Sequence, residues 1–148
     1  MVDCMLGSLA KWLRLLGYDT LYWTKASDHE LVRIARGEGR ILVTRDLALS
    51  QSRNVDAVFV ESQYLPEQLR QMITALGLST TEAFSRCPVC NGELHPVSVE
   101  VVVNRVPPYV AQTQNQFHVC QSCGKIYWPG THWQAITARL QDMIRADR

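Results

Sequence analysis

The sequence has no apolar run approaching the ~18 residues that a membrane-spanning helix requires. Its N-terminal stretch is apolar, but Asp3 precedes that stretch and Lys11 and Arg14 fall inside it. A secretory leader places its basic residues first and then an unbroken apolar core. These absences lead to the expectation of a cytoplasmic protein. An excess of charge of one sign is also missing: residues 1–78 hold nine Lys or Arg against nine Asp or Glu, and residues 79–148 hold six against five. A chain so balanced has no overall attraction to a polyanion, so any contact with nucleic acid must come from a local basic footprint. There is no low-complexity tract, and no internal repeat apart from two cysteine pairs.

What is present is enough for a folded core. Hydrophobic residues make up 47% of 148 positions, which suits one domain or two very small ones. The N-terminal half alternates strand and helix signals. Val2 starts a very short apolar segment ending at Asp3, and Leu6, Leu9, Ala10, Leu13 and Leu16 then recur at helical spacing until Gly17. Thr20 to Trp23 reads as a strand. Ser27 and Glu30 have the spacing of a capping box ahead of Leu31, Ile34 and Ala35, and Gly37 and Gly39 break that helix. Ile41 to Thr44 is a continuous apolar run of the kind expected in a buried parallel strand, and Ala57 to Val60 is another. Pro66 opens a further helix through Leu69, Met72, Ile73 and Leu76, closed by Gly77. This alternation predicts an α/β fold, a parallel sheet with helices on its faces, over residues 1–78. The first strand is either short, or the natural chain extends further upstream.

Residues 79–86 are polar and read as a linker. Beyond them Val97, Val99, Val101 and Val103 alternate as in a strand, interrupted by Pro107-Pro108. Trp133, Ile136, Leu140, Met143 and Ile144 mark an amphipathic helix over 133–148.

Of five cysteines, Cys4 stands alone and reads as a small buried packing residue. The others form Cys87-Pro-Val-Cys90-Asn-Gly92 and Cys120-Gln-Ser-Cys123-Gly124. A tight turn puts both sulfurs of such a pair on one side, and a following glycine lets backbone N–H groups approach them. Two such knuckles supply a tetrahedral sulfur set that suits Zn²⁺, with no position left open for water, so the zinc of this ribbon (87–132) is expected to be structural. His95, His118 and His132 are substitute ligands that four cysteines make unnecessary.

Three aspartates fall where strand and helix signals meet: Asp3 after the first strand, Asp28 at the start of the second helix, and Asp46 just past Ile41–Thr44. Functional residues of open α/β sheets gather outside the carboxyl ends of the strands. Carboxylates brought together there repel unless a cation lies between them, and hard oxygen ligands select Mg²⁺ or Mn²⁺. Each aspartate also has a structural explanation, Asp28 through the helix dipole, Asp46 as a cap for the next helix, and Asp3 as a surface residue.

The run from Asp3 to Asp19, Asp28 with Glu30-Leu31, Gly39 to Asp46, and Gln68-Leu69-Arg70 resemble the mutator-seven C-terminal RNase domain family. So do Arg86-Cys87-Pro88-x-Cys90-Asn91 and the segment from Cys120 through Gly124-Lys125-Ile126-Tyr127-Trp128-x-Gly130-Thr131-His132. The resemblance runs in order over nearly the whole chain. It implies a PIN-like nuclease fold fused to a zinc ribbon and followed by the C-terminal helix, with catalytic acids at Asp3, Asp28 and Asp46 holding Mg²⁺ or Mn²⁺. Glu61 and Glu30 are the candidates for a fourth acid. The implied substrate is RNA, single-stranded.

Lys11, Arg14 and Arg45 are the candidates for phosphate contact, Arg45 foremost because it adjoins Asp46; Arg33 and Arg36 read as a solvated helix face. Phe117, Tyr127, Trp128 and Trp133 concentrate aromatic surface near the second knuckle, available either for stacking on bases or for packing the ribbon. The leading expectation is therefore a metal-dependent ribonuclease. Its rival is a non-catalytic zinc-ribbon adaptor that binds RNA or protein.

Overall fold

A computed structural model describes residues 1–145. The first helix, α1 (Gly7–Leu15), follows a single 3₁₀ turn at Cys4–Leu6. Its spacing holds: Leu6, Leu9, Ala10, Leu13 and Leu16 are all buried. The second helix, α2 (Asp28–Glu38), begins with the expected capping box, in which Ser27 Oγ accepts from the Glu30 N–H and Glu30 accepts from the Ser27 N–H. Gly37 lies inside this helix and Gly39 alone ends it. Then follow β1 (Leu42–Thr44), the single-turn α3 (Leu47–Ser50), β2 (Ala57–Phe59) and α4 (Leu65–Leu76).

The parallel sheet is small. β1 pairs with β2 in parallel, Leu42 opposite Ala57 and Thr44 opposite Phe59. Val2 adds single parallel bridges to Val43 on one side and Tyr22 on the other. Across the sheet the order is thus Tyr22, Val2, β1, β2, all pointing one way. The expected strand at Thr20–Trp23 shrinks to that one bridging residue. The reason is that Thr20 spends its backbone elsewhere: its carbonyl accepts from Arg14 Nε and its N–H donates to Asn91 Oδ1.

Residues alternate across the sheet, and each face carries its own core. Val2, Val43 and Val60 face α1 and α4, where Leu9, Leu16, Leu69 and Met72 are fully buried. Leu42 faces the other way, onto Leu31, Ile34 and Ala35 of α2 and Leu49 of α3. The C-terminal helix α7 (Thr131–Arg145) joins the first core through Leu140 and Met143, and Arg70 Nη1 donates to the Met143 carbonyl.

The remaining segment forms a three-stranded antiparallel sheet in the order β3 (Leu94–Val97), β4 (Phe117–Cys120), β5 (Ile126–Tyr127). The valine alternation that suggested a longer strand is overturned. β3 stops at Val97, and α5 (Val99–Val102) and α6 (Pro108–Thr113) follow. Val101 and Val103 are exposed, whereas Val102, Val106 and Val110, four residues apart, are buried against Phe117. That stripe places three valines on one buried face, as helical spacing does. Pro107-Pro108 accordingly starts a helix rather than interrupting a strand.

Segment 79–86 is held against the end of α1. The Phe84 N–H donates to the Leu15 carbonyl at 2.7 Å, and the Tyr18 hydroxyl donates to the Ser79 carbonyl. Gly17 makes this closeness possible. Its φ is +95°, and a Cβ there would lie 2.2 Å from the Glu82 carbonyl oxygen. Gly17→Ala therefore meets both backbone strain and a collision, and is expected to cost at least roughly 1–3 kcal/mol in denaturant unfolding. An unchanged midpoint would show that segment 79–86 moves aside freely.

Candidate functional sites: a four-cysteine centre and an acidic sheet edge

The two knuckles meet across the antiparallel sheet. β3 pairs with β4 so that Leu94 stands opposite Cys120, which brings the turn before β3 beside the turn after β4. In each knuckle the residue after the second cysteine is left-handed, Asn91 with φ 69° and Gly124 with φ 73°. Gly92 lets its N–H approach Cys90 Sγ, as its position suggested, and has a second task besides. A Cβ on it would lie 2.8 Å from the Cys120 sulfur, so only glycine lets the two knuckles close on each other.

The four sulfurs of Cys87, Cys90, Cys120 and Cys123 lie within 4.8 Å of one another and are not bonded as disulfides. Cys87 and Cys123 sulfurs are 3.8 Å apart, and those of Cys90 and Cys120 are 3.3 Å apart. A zinc ion with four thiolates at ~2.3 Å would space its sulfurs by ~3.8 Å. The donor set and its dimensions therefore suit zinc, and among the described residues these four are the group of His, Cys, Asp or Glu drawn this close. His95 instead faces Glu93 across 3.5 Å. The Gly92 N–H points at Cys90 Sγ and the Cys123 N–H at Cys120 Sγ. Burial opposes ionisation of Cys120, but the Cys123 N–H and the neighbouring Cys90 sulfur hold its thiol down at about 7. Burial pushes Cys90 up to about 12. A second negative sulfur in this pocket thus needs a cation beside it.

Sequence reasoning missed two neighbours of the centre. The Tyr127 hydroxyl lies 3.0 Å from Cys87 Sγ, and burial together with that sulfur raises the phenol above its ordinary value, so it remains a donor. Arg14 corrects an expectation outright. Placed among phosphate-contacting residues on the sequence, it is buried, and its guanidinium donates to the carbonyls of Thr20 (2.9 Å), Pro88 (3.3 Å) and Val89 (3.1 Å). Burial lowers its pKa, and the sulfurs of Cys90 and Cys87 oppose that. Its fork matches carbonyls of a turn that exists only once the first knuckle has folded. No one-dimensional signal gives that away.

The acidic edge is the second site. The Asp3 N–H donates to the Val43 carbonyl, which fixes Asp3 at the carboxyl end of the parallel sheet. Its side chain is buried, and Thr44 Oγ1 donates to Asp3 Oδ2 at 2.8 Å. The same hydroxyl accepts from the Asp46 N–H at 2.9 Å, and Asp46 Oδ1 in turn caps α3 by accepting from the Leu49 N–H. One threonine thus ties Asp3 to Asp46. A buried threonine ending an apolar strand was its sequence signal, since a buried hydroxyl must find partners. Asp28 is exposed at the first residue of α2, and its charge, after that of Asp3, raises the Cys4 thiol. Among the described residues the three aspartates do not form a group as close as the four sulfurs.

The other candidates divide. Arg45 is half-buried beside Asp46, and its Nε is buried without a hydrogen-bond partner. Lys11 is exposed on α1, away from the first turn. Glu30 is occupied by its capping box, and Glu61 is exposed after β2. Cys4, expected inside, is exposed, because Leu6 is the buried residue of its 3₁₀ turn; its hydrogen bond with the adjacent Asp3 raises the thiol pKa, which disfavours the nucleophilic thiolate.

Compared with protein families, the chain matches the Mut7-C RNAse domain over residues 1–140 and belongs to that family. Comparison with curated proteins and with solved structures gives no significant match. No helix among the described residues is long and apolar enough to cross a membrane.

The sulfur centre is expected to bring one zinc ion per chain through purification, counted by plasma mass spectrometry. Arg14→Met removes the cation beside the thiolates and is expected to weaken zinc by about 10–100-fold in competition with a chromogenic chelator. Arg14→Lys should recover only part of this, since an ammonium does not span three carbonyls. Equal affinity in all three proteins would show that the guanidinium does not support the centre.

Proposed function

We propose that this chain is a metal-dependent ribonuclease of PIN-like architecture, with a nuclease unit at 1–78, a linker at 79–86, a zinc-stabilised ribbon at 87–132 and the helix beyond it. The observation that carries the reading is the Thr44 hydroxyl joining Asp3 to Asp46 at the carboxyl end of a parallel sheet. A buried carboxylate held by a hydroxyl relay, beside a second carboxylate, is costly to keep without a cation. Asp3, Asp28 and Asp46 would hold Mg²⁺ or Mn²⁺, which supplies charge neutralisation and an activated water for attack on a phosphodiester. Mg²⁺ keeps several of its waters, so carboxylates spaced too widely for direct ligation still suit it.

This chain's own side chains have distinct tasks. Thr44 orients the Asp3 carboxylate, and the α3 cap orients that of Asp46. Arg45, half-buried beside Asp46 with its Nε unpaired, would turn its guanidinium toward a phosphate oxygen. The zinc has a structural role, because all four of its ligands come from the protein. The rival reading, an RNA- or protein-binding adaptor, is favoured by the looser grouping of the aspartates and by the commitment of Glu30 to its cap.

The two separate on one assay. Labelled single-stranded RNA is expected to be cut when Mn²⁺ is added, and Asp3→Asn and Asp46→Asn should each lower the rate by at least ~100-fold. Their thermal midpoints should stay level or rise, since like-charge repulsion is removed and Asn still caps α3. RNA bound but left intact by the unaltered protein with Mn²⁺ would favour the adaptor.

A further inference from the structure

A groove of about 500 Å³ runs between α1, the first knuckle, β5 and the first turn of α7. Lys11, Lys125 and His132 line it, and no aspartate or glutamate does. In a chain whose charges otherwise balance, this is a local cationic strip. Its walls are aromatic and aliphatic. Tyr109, on α6, is 68% exposed, and Trp128 and Trp133 line the groove with Leu15, Val89 and Ile136. Trp133 is braced by Phe84, ring centres 4.2 Å apart, and Trp128 by Phe117 at 6.4 Å. The first turn of α7 carries no acidic residue. An exposed tyrosine and half-buried tryptophans beside two lysines, with no carboxylate in the lining, suit single-stranded nucleic acid: bases stack while phosphates pair with lysine.

We infer that this groove binds a single-stranded RNA segment, with a base stacked on Tyr109 and phosphates held by Lys11 and Lys125. The inference rests on the RNA reading above and deepens it. It assigns the grip to a seam between α1 and the ribbon, apart from the acidic edge. Asp3 precedes the 3₁₀ turn, and Lys11 is the fifth residue of α1, eight positions on from Asp3, which at roughly 1.5–2 Å per helical residue is on the order of 12–16 Å. The nucleotides held in the groove are therefore not the one presented to the aspartates. An exposed strand fits this geometry and a duplex does not, because paired bases offer no faces for stacking.

The test is fluorescence anisotropy with a labelled single-stranded RNA dodecamer and its duplex, on the full chain with no added Mg²⁺ or Mn²⁺, so that binding is read without cleavage. Tyr109 and both lysines are exposed, so Tyr109→Ala, Lys11→Gln and Lys125→Gln leave the core intact. Tyr109→Ala is expected to weaken the single strand on the order of tenfold. Each lysine variant should flatten the slope of log Kd against log salt by about 0.7. Unchanged affinity and slope in all three, or duplex binding as tight as the single strand, would overturn the inference. So would an unaltered protein that binds neither RNA. The outcome is separable from nuclease activity: a protein that never cuts but loses affinity on Tyr109→Ala retains the groove and loses only the catalytic proposal.

Discussion

A single buried guanidinium joins the α/β core of this chain to its four-cysteine ribbon. Arg14 stands on α1, the helix that begins just after Asp3, and its fork closes on the carbonyls of Thr20 in the α/β core and of Pro88 and Val89 in the first knuckle. Such a group is costly to bury alone, and here carbonyl dipoles and nearby sulfur charge offset that cost. Asn91 reinforces the seam from the other side, accepting from the Thr20 N–H and donating to Asp19, which also pairs with Arg40. The orientation of α1 against the ribbon, and with it the shape of the groove, follows from this set of bonds.

Both centres also depend on how little regular structure surrounds them. The parallel sheet has two strands of three residues and two positions that pair through one residue each. So short a sheet does not hold itself together. It is clamped by helices on both faces, and Thr44 supplies at its edge the polar closure that further strand pairing would otherwise provide.

Much of this was legible in the chain. The helices came from apolar spacing and caps, which are local, and Ser27 with Glu30 makes the bonds that their spacing implies. The knuckles were legible because metal chemistry demands a fixed residue type at a fixed interval, and the sulfurs do converge. What failed was nonlocal or ambiguous. Val97 to Val103 satisfied a period of two, while Val102, Val106 and Val110 satisfied a period of four, and only the position of Phe117 decides between them. Arg14 carries the same charge whether it faces water or a turn 74 residues away. Thr44 was hidden in plain view, since its role lies in two partners, one two residues on and one 41 residues distant.

The excursion between β3 and β4 has an evolutionary consequence. Val97 and Phe117 are paired neighbours, so the α5–α6 insert leaves and re-enters the ribbon at almost one point, and its valines pack on Phe117, Val119, Ile126 and Trp128 while Arg105 donates to the Gly124 carbonyl. Loop-closure entropy changes by only ~0.6 kcal/mol per doubling of length. The insert can therefore change length cheaply only where the valine stripe on Phe117 and the Arg105 bond to Gly124 are kept. Since Tyr109 rides on it, the insert is where specificity can drift while the scaffold stays the same.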